Sequence, residues 1–108
     1  MANSNISMND LHAQLSKLGP ADLIIDVRST EEYAAGHIQG SRNIPYDQVE
    51  KHVEELKKYK TIYIHCQAGG RAGRAAQVLA KLGLTNIACI SNSGMGDWMA
   101  AGFPVVKH

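Results

Sequence analysis

The chain has 108 residues, 44% of them apolar, which suits one small domain spanning 1–108 around one core. Eleven Lys and Arg against ten Asp and Glu leave a formal net charge of +1, so no charge excess points to nucleic acid or a membrane surface. No apolar run approaches the ~20 residues that span a bilayer, and the start, MANSNISMNDLHAQL, lacks the basic and apolar blocks of a signal peptide, so a cytoplasmic protein is the expectation.

In chain order, Met8, Leu11, Leu15 and Leu18 recur at helical spacing. Ser7 and Asp10 supply an N-terminal cap for that helix, and Gly19-Pro20 stops it. Leu23, Ile24, Ile25 and Val27 form a short apolar run that predicts a buried strand. A short helix fits Thr30 to Ala35, with Gly36 as its stop. Val49, Val53 and Leu56 place an apolar stripe on a third helix, whose outer face carries a Glu54/Lys58 pair. Thr61 to His65 predicts a second strand. Ala72, Ala75, Ala76, Leu79 and Leu82 give one face of a fourth helix, ended by Gly83. Asn86 to Ile90 predicts a third strand, and a last short helix falls around Asp97 to Ala101, before Gly102-Phe103-Pro104. Strands alternating with helices predict the α/β class: a central, mostly parallel sheet with helices on both faces.

Ligands of such sheets bind beyond the carboxyl ends of the strands. Cys66 stands there, at the head of Cys66-Gln67-Ala68-Gly69-Gly70-Arg71, which joins a predicted strand to a predicted helix. Paired glycines let successive backbone N–H groups converge on one point, an anion-binding nest. The following helix adds free N–H groups and its positive dipole end. Arg71, and with it Arg74, adds full charge. The loop therefore reads as a holder for a thiolate and for the anion that the thiolate makes or attacks. The bland alternative is an inert cysteine at a strand end. Cys89, 23 residues on in an apolar strand, reads as core. The cysteine spacing offers no metal signature and no expected disulfide.

Three blocks resemble the rhodanese-homology family, many of whose members are sulfurtransferases. They are DVRSTEEYAAGHIQGSRNIP at residues 26–45, CQAGGR at 66–71, and SGMGDWMAAGFPV at 93–105. The resemblance implies the rhodanese-like fold and a double displacement at Cys66. The cysteine takes sulfane sulfur from a donor such as thiosulfate or a persulfide, becomes a persulfide, and passes the sulfur to a thiol or to cyanide. Gln67, Ala68, Gly69, Gly70 and Arg71 would bind the substrate and the persulfide. The implied mechanism needs no metal and no organic cofactor. Its partners are small sulfur donors and acceptors, with a sulfur-acceptor protein as a further partner, and neither nucleic acid nor membrane. Many family members carry hydroxyl side chains where this chain has Ala68 and Ala72, which removes side-chain hydrogen bonds from the donor site. The third block opens with Ser93-Gly94 in place of the usual paired glycines.

Asp26, Arg28, Arg42 and Trp98 are candidate pocket-shaping residues. For Asp26 and Arg28, an ion pair with Glu32 or a bond to a loop carbonyl is the simpler expectation. His37 is expected to pack. His65 precedes Cys66 on a strand, so their side chains point to opposite faces and His65 is not its general base. Three rival functions draw on the same residues. One is a persulfide carrier or binding module serving one protein partner. A phosphatase or arsenate reductase would need five residues between Cys and Arg, where this chain has four. A redox pair of Cys66 and Cys89 would need the two thiols brought together.

Overall fold

The computed structural model describes residues 3–107. Five strands form one sheet: β1 (Ser4–Ile6), β2 (Asp22–Asp26), β3 (Arg42–Asn43), β4 (Thr61–His65) and β5 (Ile87–Ile90). Their order across the sheet is β1-β5-β4-β2-β3, and every pairing is parallel. The helices are α1 (Met8–Gln14), α2 (Thr30–Ala35), α3 (Val53–Leu56), α4 (Gly70–Lys81) and α5 (Met95–Ala100). The expected α/β architecture is present, with β4 at the centre.

The side chains of the central strands alternate between two cores, as the two-residue period of a strand requires. Ile25, Ile62, Ile64, Cys66 and Cys89 join Leu56, Ala75 and Leu79 in one cluster, under α3 and α4. Ile24, Tyr63, Ala88 and Ile90 join Met8, Leu11, Met95 and Trp98 in the other, under α1 and α5. Helices therefore cover both faces, and each strand of the middle of the sheet is buried on both sides.

Two strands escape the sequence pattern. β1 contributes only Ile6 to the apolar side, and β3 is a two-residue Arg-Asn segment; both lie at edges and are made by pairing rather than by composition. Asn3 anchors β1, its amide donating to the Leu84 carbonyl at 3.1 Å and accepting from the Ile87 N–H at 2.9 Å. Helical stretches are also shorter than expected. The first ends at Gln14 and passes into a 3-10 turn over Leu15–Lys17. The third begins as a 3-10 turn over Val49–His52 before α3. There Glu54 pairs with Lys57 at 3.2 Å, not with Lys58. The Ser7 cap forms as read, reciprocally with Asp10.

Candidate active site

β4 ends at His65, and α4 begins five residues later, so the loop between them sits above the middle of the sheet. Gly69 occupies the N-cap of α4 with φ 117°, a left-handed conformation that glycine takes without strain. This turn folds the loop back over Cys66. The Sγ atom accepts from the N–H of Gly69 at 3.1 Å and from the N–H of Ala72 at 3.3 Å. Two donors of the α4 terminus thus hold the sulfur, and the helix dipole points its positive end at it. Cys66 is 2% exposed and forms the floor of a depression whose other walls are Gln67, Ala68, Gly70, Arg71 and Arg74.

The loop is braced from two sides. From the α5 side, the N–H of Met95 donates to the Cys66 carbonyl at 2.9 Å, and the N–H of Gly96 to the Gln67 carbonyl at 3.2 Å. A Cβ at Gly94 would overlap both of those carbonyl oxygens. One at Gly69 would stand 2.8 Å from the Asn92 nitrogen. From the β2 side, the buried Arg28 donates to both carboxylate oxygens of buried Asp26, the Nη2–Oδ2 distance being 2.8 Å, and to the Gly36 carbonyl at 2.7 Å. Its remaining arm reaches Gln67 Oε1 at 3.3 Å. Asp26 and Arg28 therefore pair with each other, and Glu32 belongs to Arg71. The Glu32 oxygens accept from Arg71 Nη1 at 2.6 Å and Nη2 at 3.0 Å. That pairing, helped by the Ser29 cap, holds the Glu32 carboxyl down to about 2 against the cost of burial.

Arg42 and Trp98 lie away from the depression. Arg42 pairs with Glu55 at 2.5 Å and approaches His52 at 3.3 Å. Trp98 is buried in the core of the opposite face, donates to the Pro104 carbonyl at 2.8 Å, and meets Phe103 edge to face. His37 is buried, stacks on Tyr33 with ring centres 3.7 Å apart, and bridges to Val106 through the backbone. His65 is fully buried on the face opposite Cys66; neither ring nitrogen makes a hydrogen bond of good geometry among the described residues, and Nε2 stands 4.0 Å from Asp26 Oδ2. Burial pushes its imidazole below the ordinary value, with Asp26 opposing. Burial also pushes the Cys89 thiol up. Cys89 shares a core with Cys66, one strand away, and both are free thiols. No three His, Cys, Asp or Glu among the described residues are grouped to hold a metal ion. No helix among them is long and apolar enough to cross a membrane.

A scan of family models matches the description "Rhodanese-like domain" over residues 7–101. The chain belongs to the rhodanese-like family. This rhodanese-like chain is similar to a rhodanese-related protein from Thermoplasma volcanium, with TM-score 0.82 and 30% identity over 97% of this chain and 99% of that one. It is 29% identical to the "Thiosulfate:glutathione sulfurtransferase" of Saccharomyces cerevisiae over 89% of this chain and 78% of that protein. It is 41% identical to the "Putative sulfur carrier protein YrkF" of Bacillus subtilis over 69% of this chain. The chain spans only 40% of that protein, and 51% and 62% of two further bacterial relatives.

The Glu32 clamp, the Arg28–Gln67 link and the Gly94 brace were not legible as site features. The first two join residues 39 apart in sequence. The signal that did exist was the Ser29-Thr30-Glu31-Glu32 cap pattern, which fixes where the Glu32 carboxylate starts.

Proposed function

We propose that this rhodanese-like domain is a sulfurtransferase that carries sulfane sulfur on Cys66. The observation that supports the reading best is the sulfur atom itself, held by two backbone N–H groups at the floor of a cationic depression. The Cys66 thiolate attacks the outer sulfur of thiosulfate. A Cys66–sulfur bond forms, the bond to the sulfonate breaks, and sulfite leaves with the electron pair. The terminal sulfur of the new persulfide carries the negative charge, and the N–H groups of the loop stabilise it as an oxyanion hole stabilises oxygen. A thiolate, or cyanide in an assay, then attacks that terminal sulfur and Cys66 leaves as thiolate. The transfer conserves charge in both halves and uses no external oxidant.

In this reading Gln67, Ala68, Gly69, Gly70 and Arg71 shape the donor site, and Asp26 with Arg28 fixes the loop from below. The reading assigns the reaction to the cytoplasm, where thiols stay reduced. The likeness to the protein named as a sulfur carrier supports a second reading, in which the same persulfide is handed slowly to one protein partner. The deciding measurement is intact-protein mass after incubation with thiosulfate, beside Cys66→Ser. The expected outcome is a reducible gain of one sulfur atom in the native protein alone. A gain in both proteins, or in neither with thiosulfate or glutathione persulfide, overturns the assignment. Turnover with small thiols that is far slower than transfer to a protein would select the carrier reading.

A further inference from the structure

Three guanidinium groups surround the active loop, and two of them are spent. Arg28 is buried, and its donors go to Asp26, the Gly36 carbonyl and Gln67. Arg71 gives a two-pronged pair to Glu32, so its charge is matched at the rim of the depression. Arg74 differs. It stands three residues further along α4, is exposed, and lines the same depression as Cys66. It has no hydrogen-bond or ion-pair partner among the described residues. The uncompensated charge of the depression is therefore that of Arg74. Helical side chains lean toward the N-terminus of their helix, which here is the end that holds the sulfur.

We propose that Arg74 reads the anionic group of the sulfur donor and so sets donor specificity; this rests on the sulfur-transfer reading above. The chemistry of attack fixes the donor's direction. Its sulfane sulfur must reach Sγ at the floor, which leaves the rest of the molecule at the rim. In thiosulfate that remainder is a sulfonate; in glutathione persulfide it carries carboxylates. Both are planar or forked arrays of anionic oxygens that suit a guanidinium fork better than a point charge. The loop has no side-chain hydroxyl to share the task, because Ala68 and Ala72 stand at those places and the Ala72 N–H already serves the sulfur. The backbone holds the sulfur, and Arg74 holds what the sulfur is attached to.

The test is steady-state sulfur transfer to cyanide from three donors: thiosulfate, glutathione persulfide, and 2-hydroxyethyl persulfide, whose tail is neutral. Arg74→Gln is compared with the native protein and with Arg74→Lys. An exposed change in a helix, it is checked for folding by its thermal midpoint. The expected result is a roughly tenfold rise in KM for an anionic donor relative to the neutral-tailed one, carried in KM rather than kcat. Arg74→Lys should recover part of it, and added salt should weaken the native preference but not that of Arg74→Gln. A rise confined to thiosulfate identifies the sulfonate as the group read; one confined to glutathione persulfide identifies the carboxylates. A relative KM that does not move, or an equal fall in kcat with all three donors, overturns the role of Arg74 and leaves sulfur transfer standing. A native protein that draws sulfur from none of the three overturns both.

Discussion

Glu32 closes the N-terminus of α2 and neutralises Arg71 with the same carboxylate. The two tasks separate in Glu32→Gln, because glutamine still serves a capping box but carries no charge. With Arg71 released, the depression gains a second uncompensated cation. KM for thiosulfate should then fall about threefold, a change that a thiosulfate titration with cyanide as acceptor reads directly. The stability cost should stay within about 1 kcal/mol, since both side chains are about one-third exposed and water screens the pair. An unchanged or higher KM would mean that Arg71 serves the donor only while Glu32 orients it. At this scale the sequence was legible where chemistry is local. Cys66, the glycines and Arg71 lie within six residues, so their meeting needs no tertiary knowledge. The partner of Arg71 was not legible, because Glu32 reaches it only after β2 and β4 pair and bring their C-terminal ends together.

The elements divide in the same way. β2, β4 and β5 are buried on both faces and announce themselves as apolar runs, whereas β1 and β3 are edge strands defined by their neighbours. Trp98 shows the limit of motif position. It stands in the third family block, on the helix whose N-terminus braces the loop, yet α5 turns it into the core on the far side of the sheet from Cys66. What α5 gives the site is backbone: the Met95 and Gly96 N–H groups that hold the loop carbonyls. Gly94 makes that approach possible, so Gly94→Ala should push α5 off the loop. We expect a loss of about 2–4 kcal/mol in urea unfolding and at least tenfold slower persulfide formation by mass. Gly73 is the contrast. It lies inside α4 with open space where a Cβ would go, and Gly73→Ala should stabilise by roughly 0.5–1 kcal/mol through helix propensity. If Gly94→Ala forms persulfide at the native rate, α5 does not shape the cradle.

For the molecule as a whole, the titrating groups bracket a window of stability. His65 is buried beside Asp26 and Arg28, and burial holds its imidazole neutral below the ordinary value of 6.5. Below that pH the unfolded chain takes a proton that the folded chain refuses, so stability falls as pH falls through 6.5. Glu32 adds a second acid limb, because its carboxyl is held at about 2 when folded against 4.5 when free. Its contribution is complete above 4.5 and is lost on the way down to about 2. Asp10, held low by Ser7, and Glu55, held low by Arg42, act in the same sense on the surface. On the alkaline side, burial raises Cys89 from 9.0 and Tyr63 from 10.0, so the unfolded chain ionises first and stability falls as pH climbs past 9. The urea midpoint should therefore fall as pH drops below about 6.5 and again as it climbs past 9. His65→Leu removes a buried imidazole whose nitrogens make no hydrogen bond of good geometry among the described residues, so it should flatten the slope between pH 6.5 and 5 without a large loss at pH 7. Glu32→Gln should instead leave that slope and make the limb below 4.5 shallower. A His65→Leu protein that keeps the full slope between pH 6.5 and 5 would show that His65 is not the group that opens the acid limb.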